Sequence, residues 1–197
     1  MKKLLLATGN KGKILELRAL LENLEAEILV PEEIGLELQV EETGKTYAEN
    51  AAKKAKAFAK ASGLLSLADD SGLEVAALDG APGIFSARYA PEPGATDADR
   101  RAYLLQQLKK FPKPWSARFS CTAVLASPAA ELHLTNGICN GMIISQERGE
   151  HGFGYDPIFL IPDMGMTMAE LKMDEKNQIS HRARAIKRMI PMLLSYL

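Results

Sequence analysis

An α/β fold is what this sequence predicts, and three observations predict it. Residues 3–7 form an apolar, buried-type strand that passes through a glycine loop into an amphipathic helix. Residues 119–126 and 131–138 read as antiparallel strands joined through Ser127, Pro128, Ala129 and Ala130. Between them, helical apolar stripes alternate with short extended pieces. At 197 residues, 47% of them hydrophobic, the chain suffices for one large domain or two lobes sharing a core.

Charge and cysteine content narrow the function classes. Lys plus Arg number 24 against 25 Asp plus Glu, so a net charge of −1 offers no bulk attraction to nucleic acid or an anionic membrane. The first apolar run stops at Ala7 and is followed by Gly9, Asn10 and Lys11, which fits a strand better than a secretion signal. No apolar stretch approaches the length of a membrane span. Cys121 and Cys139 lack metal-site spacing, so reduced thiols and a cytoplasmic location are expected.

In chain order, the loop Thr8, Gly9, Asn10, Lys11, Gly12 and Lys13 leads into a helix with Ile14, Leu17, Leu20, Leu21 and Leu24 on one face. A helix start after a glycine loop presents free N–H groups and a positive dipole end, which suit an anion. Only Asn10 and Lys11 separate Gly9 from Gly12, whereas a Walker loop needs four residues there, so a P-loop nucleotidase is excluded. A second strand is expected over 27–31. Glu41 and Glu42 then precede a helix that opens with Thr46 as N-cap and Glu49 at its third position, runs to Ala61 and ends at Gly63. Its lysines include Lys53, Lys54, Lys56 and Lys60.

Residues 64–68 read as a strand that ends in a turn of Asp69, Asp70, Ser71 and Gly72, with 73–76 as the next extended piece. Paired carboxylates there suit Mg²⁺, which takes oxygen ligands and usually one or two carboxylates; a plain surface turn is the competing reading. Arg88 follows a tight glycine-proline loop and is either a ligand or a structural arginine. Thr96 and Asp99 form another capping pair ahead of a helix through Leu108. Phe153, Gly154, Tyr155 and Asp156 combine glycine and aromatic residues suited to a flat ligand, or else simply cover core. A terminal helix entered near Asp174 carries Ile179, Ala183, Ile186 and Ile190 as its stripe, with Lys176 in its first turn, favourable for phosphate, and His181 and Arg182 either as directional donors suited to a base carbonyl or as a core histidine beside a surface arginine.

Taken together, Thr8 to Lys13, Ala68 to Leu73, Gly83 to Tyr89, Gly152 to Pro157 and Ser180 to Arg182 closely resemble the Ham1/RdgB family of inosine/xanthosine triphosphate pyrophosphatases, over essentially the whole chain. The resemblance implies a single domain over 1–197: an elongated mixed sheet flanked by helices, with two lobes around a nucleotide cleft. It further implies a homodimer and Mg²⁺-dependent hydrolysis of noncanonical purine triphosphates (ITP, dITP, XTP) to monophosphate and pyrophosphate. By the same resemblance Asp70 is the catalytic base and a metal ligand, with Glu42 as second metal carboxylate. Ser71, the Thr8 to Lys13 loop, Lys54, Phe153, Gly154, Tyr155, Asp156, Lys176, His181 and Arg182 bind substrate. Asp69 is expected mainly to shape the turn. Two competitors are a Maf-type pyrophosphatase of modified pyrimidine nucleotides and a nucleotide-sensing or RNA-binding module; the absence of a basic-aromatic strip argues against the latter.

Overall fold

The computed structural model describes residues 2–197. Its strands are β1 (Lys2–Leu6), β2 (Ala26–Leu29), β3 (Leu65–Val75), β4 (Trp115–Ala126), β5 (Leu132–Ile143), β6 (Phe159–Ile161) and β7 (Met166–Thr167). The helices are α1 (Lys11–Leu20), α2 (Tyr47–Ser62), α3 (Asp97–Leu108), α4 (Met173–Ile179) and α5 (His181–Tyr196). One mixed sheet runs β2-β1-β3-β4-β5-β6-β7, with β1 parallel to β2 and β3, and β6 antiparallel to β5 and β7. Parallel neighbours need a crossover, which α1 supplies between β1 and β2.

Local signals set several boundaries as the sequence predicts. Thr46 Oγ1 accepts from the Glu49 N–H at 3.1 Å, and α2 ends where Gly63 takes a left-handed φ of 69°. Thr96 and Asp99 form a reciprocal capping box on α3.

Two expectations need correction. The turn at Asp69 to Gly72 does not exist: β3 is continuous through it, with Asp69 paired to Lys13 and Asp70 hydrogen-bonded by Asn50 and 3.9 Å from Lys54. The terminal helix is two helices. Ser180 breaks it in extended backbone (φ −64°, ψ 155°), the residue before α4 is Lys172 and not Asp174, and of the expected stripe Ala183 and Ile186 are buried in α5, joined by Ala185, Met189 and Leu193, while Ile179 and Ile190 are half-buried.

The chain divides into two compact units. The first comprises the chain through Asp70, Cys121–Gly137 and His181–Leu197. Strand alternation sorts its core onto two faces. Leu4, Leu6, Leu67, Cys121, Ala123 and Leu125 pack with Leu17 and Leu21 and with the α5 stripe. Leu5, Ala7, Ala68, Val124 and Ala126 pack with Ala51, Ala55 and Phe58 of α2. α5 approaches β5 so closely that a Cβ on Gly137 would lie 2.0 Å from the His181 carbonyl oxygen. The second unit, Ser71–Ser120 with Ile138–Ser180, has its own core of Leu73, Leu104, Leu108, Phe119, Phe159 and their neighbours.

Candidate active site

Because β3 is extended through Asp69 and Asp70, the alternation of Leu67 and Ala68 continues into the two aspartates. Asp69 follows Leu67 onto the face covered by α1 and α5, and Asp70 follows Ala68 onto the face covered by α2. Adjacent carboxylates therefore meet different partners.

Asp69 is not a turn-shaping residue but the centre of a buried charge cluster. Its Oδ2 lies 3.1 Å from Lys13 Nζ and accepts from Arg182 Nε at 3.1 Å; the Cys121 thiol points at the same oxygen from 3.8 Å. Arg182, 1% exposed, also donates through Nη1 to Glu16, itself 1% exposed. Burial alone would push the Asp69 carboxyl up, but Lys13, Arg182 and Lys54 outweigh it and hold the group far below the usual carboxylate range. Burial and the Asp69 charge push the Cys121 thiol up, so it remains protonated.

Asp70 faces α2. Asn50 Nδ2 donates to its Oδ2 at 3.1 Å, and Lys54 Nζ stands 3.9 Å from its Oδ1. The same Lys54 donates to Glu42 Oε1 at 2.7 Å, so one ammonium gathers the two carboxylates expected to hold metal. Asn50 Oδ1 accepts from the Gly44 N–H at 2.7 Å and occupies the space where a Gly44 Cβ would sit, 2.6 Å away; only glycine lets this loop approach α2. Burial raises the Asp70 carboxyl, Lys54 and Lys13 pull it down, Glu42 pushes it up again, and the net direction is upward. Lys54 moves upward too: burial opposes its charge, but Asp69, Asp70 and Glu42 outweigh that.

Lys13 and Lys54 converge on one atom. Both donate to the Asp69 backbone carbonyl, at 3.2 and 2.9 Å. Lys13 reaches it because Asn10 caps α1, accepting from the Lys13 N–H at 3.0 Å, while the Asn10 N–H donates to Thr8 Oγ1 at 3.2 Å. Gly9, Asn10 and Lys11 are exposed, and Thr8 and Gly12 half-buried. His181 and Arg182 are the first residues of α5, both buried. Among the described residues no three His, Cys, Asp or Glu side chains converge as a metal site. Glu42 and Asp70, both within reach of Lys54, are nevertheless oxygen donors of the kind a hard divalent cation takes.

In the second unit, half-buried Ser71 continues β3. Asp156, 3% exposed, is paired with Lys176 and accepts from the Phe153 N–H at 2.9 Å. Lys176 Nζ lies 5.3 Å from the centroid of the Phe153 ring, a cation–π distance. Lys176 is thus tied to the aromatic loop. Gly154 is held through both backbone groups by α3: its N–H donates to Asp97 Oδ2 at 2.7 Å, and its carbonyl accepts from Arg101 Nη1 at 2.8 Å. Tyr155 is buried, its hydroxyl donating to the Ser86 carbonyl at 2.9 Å, and burial pushes its phenol up. Arg88 lies with its guanidinium 5.2 Å from the Phe85 ring.

Sequence reading missed Glu16, Asn50, Cys121, Asp97 and Arg101. Two carried a signal. Asn50 precedes Lys54 by four residues, on one helical face, and Glu16 interrupts an otherwise apolar stripe beside Leu17. Asp97 and Arg101 share the same four-residue spacing, but nothing local connects them to Gly154.

Comparison with known proteins gives a consistent result. The chain is 47% identical over 192 residues to a dITP/XTP pyrophosphatase of Desulforamulus reducens, covering 97% of this chain and 95% of that protein. It is 44% identical to the dITP/XTP pyrophosphatase of Bacillus subtilis, covering 98% of each. A solved HAM1 protein from Coxiella burnetii superposes with a TM-score of 0.88 at 41% identity, covering 99% of this chain and 100% of that one. The Staphylococcus aureus Ham1 protein gives 0.86 at 39%, with full coverage of both. With a family model matching residues 4–192 as well, the chain belongs to the Ham1 family.

Proposed function

We propose that this chain is a Mg²⁺-dependent nucleoside triphosphate pyrophosphohydrolase that converts dITP, XTP and ITP to the monophosphate and pyrophosphate. The observation that carries the reading is the convergence of Lys13 and Lys54 on the Asp69 carbonyl, beside Asp70 and Glu42. Two ammonium groups drawn to one point favour a polyanion there. The relatives named dITP/XTP pyrophosphatases supply the substrate class.

Glu42 and Asp70 would hold the metal, which when bound neutralises charge on the phosphate oxygens. Lys13 and Lys54 bind phosphate, and the Thr8 to Lys13 loop supports it at the start of α1. Asp70 accepts the proton of the water that attacks the α-phosphorus, directly or through a second water. Asn50 keeps Oδ2 of that carboxylate fixed. Ser71 contacts substrate. His181 and Arg182 donate to a purine 6-carbonyl, where adenine would present a donor instead. Phe153, Gly154, Tyr155 and Asp156 form the base-binding loop, and Lys176 of α4 completes the pocket. No described helix is long and apolar enough to cross a membrane. A homodimer, acting on the cytoplasmic nucleotide pool and not on nucleic acid, belongs to the same reading.

The test is pyrophosphate release from ITP, dITP, XTP, ATP, dTTP and UTP, with Mg²⁺ and with chelator. Release confined to the first three, and only with metal, is expected; turnover of dTTP or UTP alone would favour the pyrimidine alternative. Asp70→Asn is expected to lower kcat by roughly 10²–10⁴-fold, the scale of a general base, and near-normal kcat would remove Asp70 from that role.

A further inference from the structure

The loop that carries Phe153 is anchored at Gly154 by two side chains that no part of the reaction requires. Asp97 stands at the first position of α3 and Arg101 one turn later on the same face. Together they take both backbone polar groups of a single residue, the N–H through Asp97 Oδ2 at 2.7 Å and the carbonyl through Arg101 Nη1 at 2.8 Å. Arg101 is itself oriented by a two-pronged pair with Glu147, Nε and Nη2 each 2.8 Å from a carboxylate oxygen. Such fork-to-carboxylate geometry fixes the plane of the guanidinium as well as its position. Two residues beyond Gly154, Asp156 accepts from the Phe153 N–H and pairs with Lys176, whose ammonium lies 5.3 Å from the ring centroid. The loop backbone is therefore held at the Phe153 N–H and at both polar groups of the next residue, while the ring itself meets the Lys176 ammonium.

We propose that Asp97 and Arg101 are positioning residues that preset the Phe153 ring for the purine base. This rests on the base-binding role proposed above for that loop. A stacking ring contributes most when its loop is already ordered, because ordering it on binding subtracts from affinity. The clamp thus acts on substrate binding and leaves the phosphate chemistry alone.

The experiment compares wild type with Arg101→Met, Arg101→Lys, Glu147→Gln and Phe153→Ala, measuring kcat and KM for ITP and dITP together with the thermal midpoint. Arg101→Met is expected to raise KM roughly tenfold, the effect of one hydrogen bond to a charged donor, with kcat within about twofold. Arg101→Lys, which retains a donor for the Gly154 carbonyl, recovers part of the loss. Glu147→Gln gives a smaller rise in KM. An unchanged KM in a folded Arg101→Met enzyme overturns the proposal, as does a fall in kcat alone. If Arg101→Met proves too unstable to assay, an unchanged KM in Glu147→Gln and Arg101→Lys overturns it equally. Failure of the underlying reading has a separate signature: Phe153→Ala leaves KM unaltered, or wild type does not turn over ITP.

Discussion

At the residue scale, Asp69 shows how a buried charge is made tolerable. Its carboxylate would be costly alone, but Lys13, Arg182 and, through Arg182, Glu16 turn the cost into a cluster whose members depend on one another. Removing one partner strands the rest, so Asp69→Asn is expected to lose about 3–5 kcal/mol of unfolding free energy at neutral pH. The pH dependence has a definite sign. The folded-state carboxyl lies below the ordinary aspartate value of 3.8, so its contribution is fully present above that value and fades as pH falls below it. Denaturant titrations should show the gap between wild type and Asp69→Asn narrowing below pH 3.8; a constant gap would mean the carboxylate is not stabilised by these cations. Activity is not a clean readout for this variant, since Lys13 serves both the cluster and the phosphate.

At the element scale, the meeting of β5 and α5 is set by an absent side chain. A methyl at Gly137 would collide with the His181 carbonyl at 2.0 Å and the Ala185 nitrogen at 2.5 Å, backbone atoms that cannot rotate away. Gly137→Ala is expected to cost about 1–3 kcal/mol, lowering the melting midpoint by about 2–12 °C. An unchanged midpoint would mean that α5 can shift on the strand without loss. Elements set by neighbouring residues were legible in the sequence: both capping pairs, Gly63 and the β1-to-α1 loop each declare themselves within four residues. β3 was not. Asp69, Asp70, Ser71 and Gly72 have turn composition, and what keeps them extended comes from Lys13, Lys54 and Arg182, remote in sequence. The break at Ser180 had a visible cue, a serine of the kind favoured at helix starts, outweighed by apolar periodicity on both sides of it.

At the scale of the whole molecule, the succession of strand and helix patterns foretold the α/β class and the motif order foretold the family, while the partnership of each charged residue had to be seen in three dimensions. Its place in a helix marks Lys176 as a phosphate ligand; in the fold its ammonium pairs with Asp156 and lies 5.3 Å from the centre of the Phe153 ring. Arg182 was read from its donors, two of which serve the fold. The near balance of 24 basic and 25 acidic residues carries its own expectation. Without a net positive field, excess duplex DNA should leave kcat/KM for dITP unchanged at low salt, where any electrostatic association would be strongest. Competitive inhibition by DNA that disappears as salt is raised would contradict this.

The alternation of β3 makes its residue count a matter of parity. Inserting one residue just ahead of Asp69 would carry its carboxylate to the place that faces Asn50 and Lys54, and deleting one would carry the Asp70 carboxylate to the place that faces Lys13 and Arg182, the other aspartate losing its partners each time. A change of two would keep each carboxylate on its own face but move it about 7 Å along the strand, away from its partners. Neither step leaves both charge pairs made, so the distance along β3 from its start to the two aspartates is fixed to the residue by partners that lie on other elements.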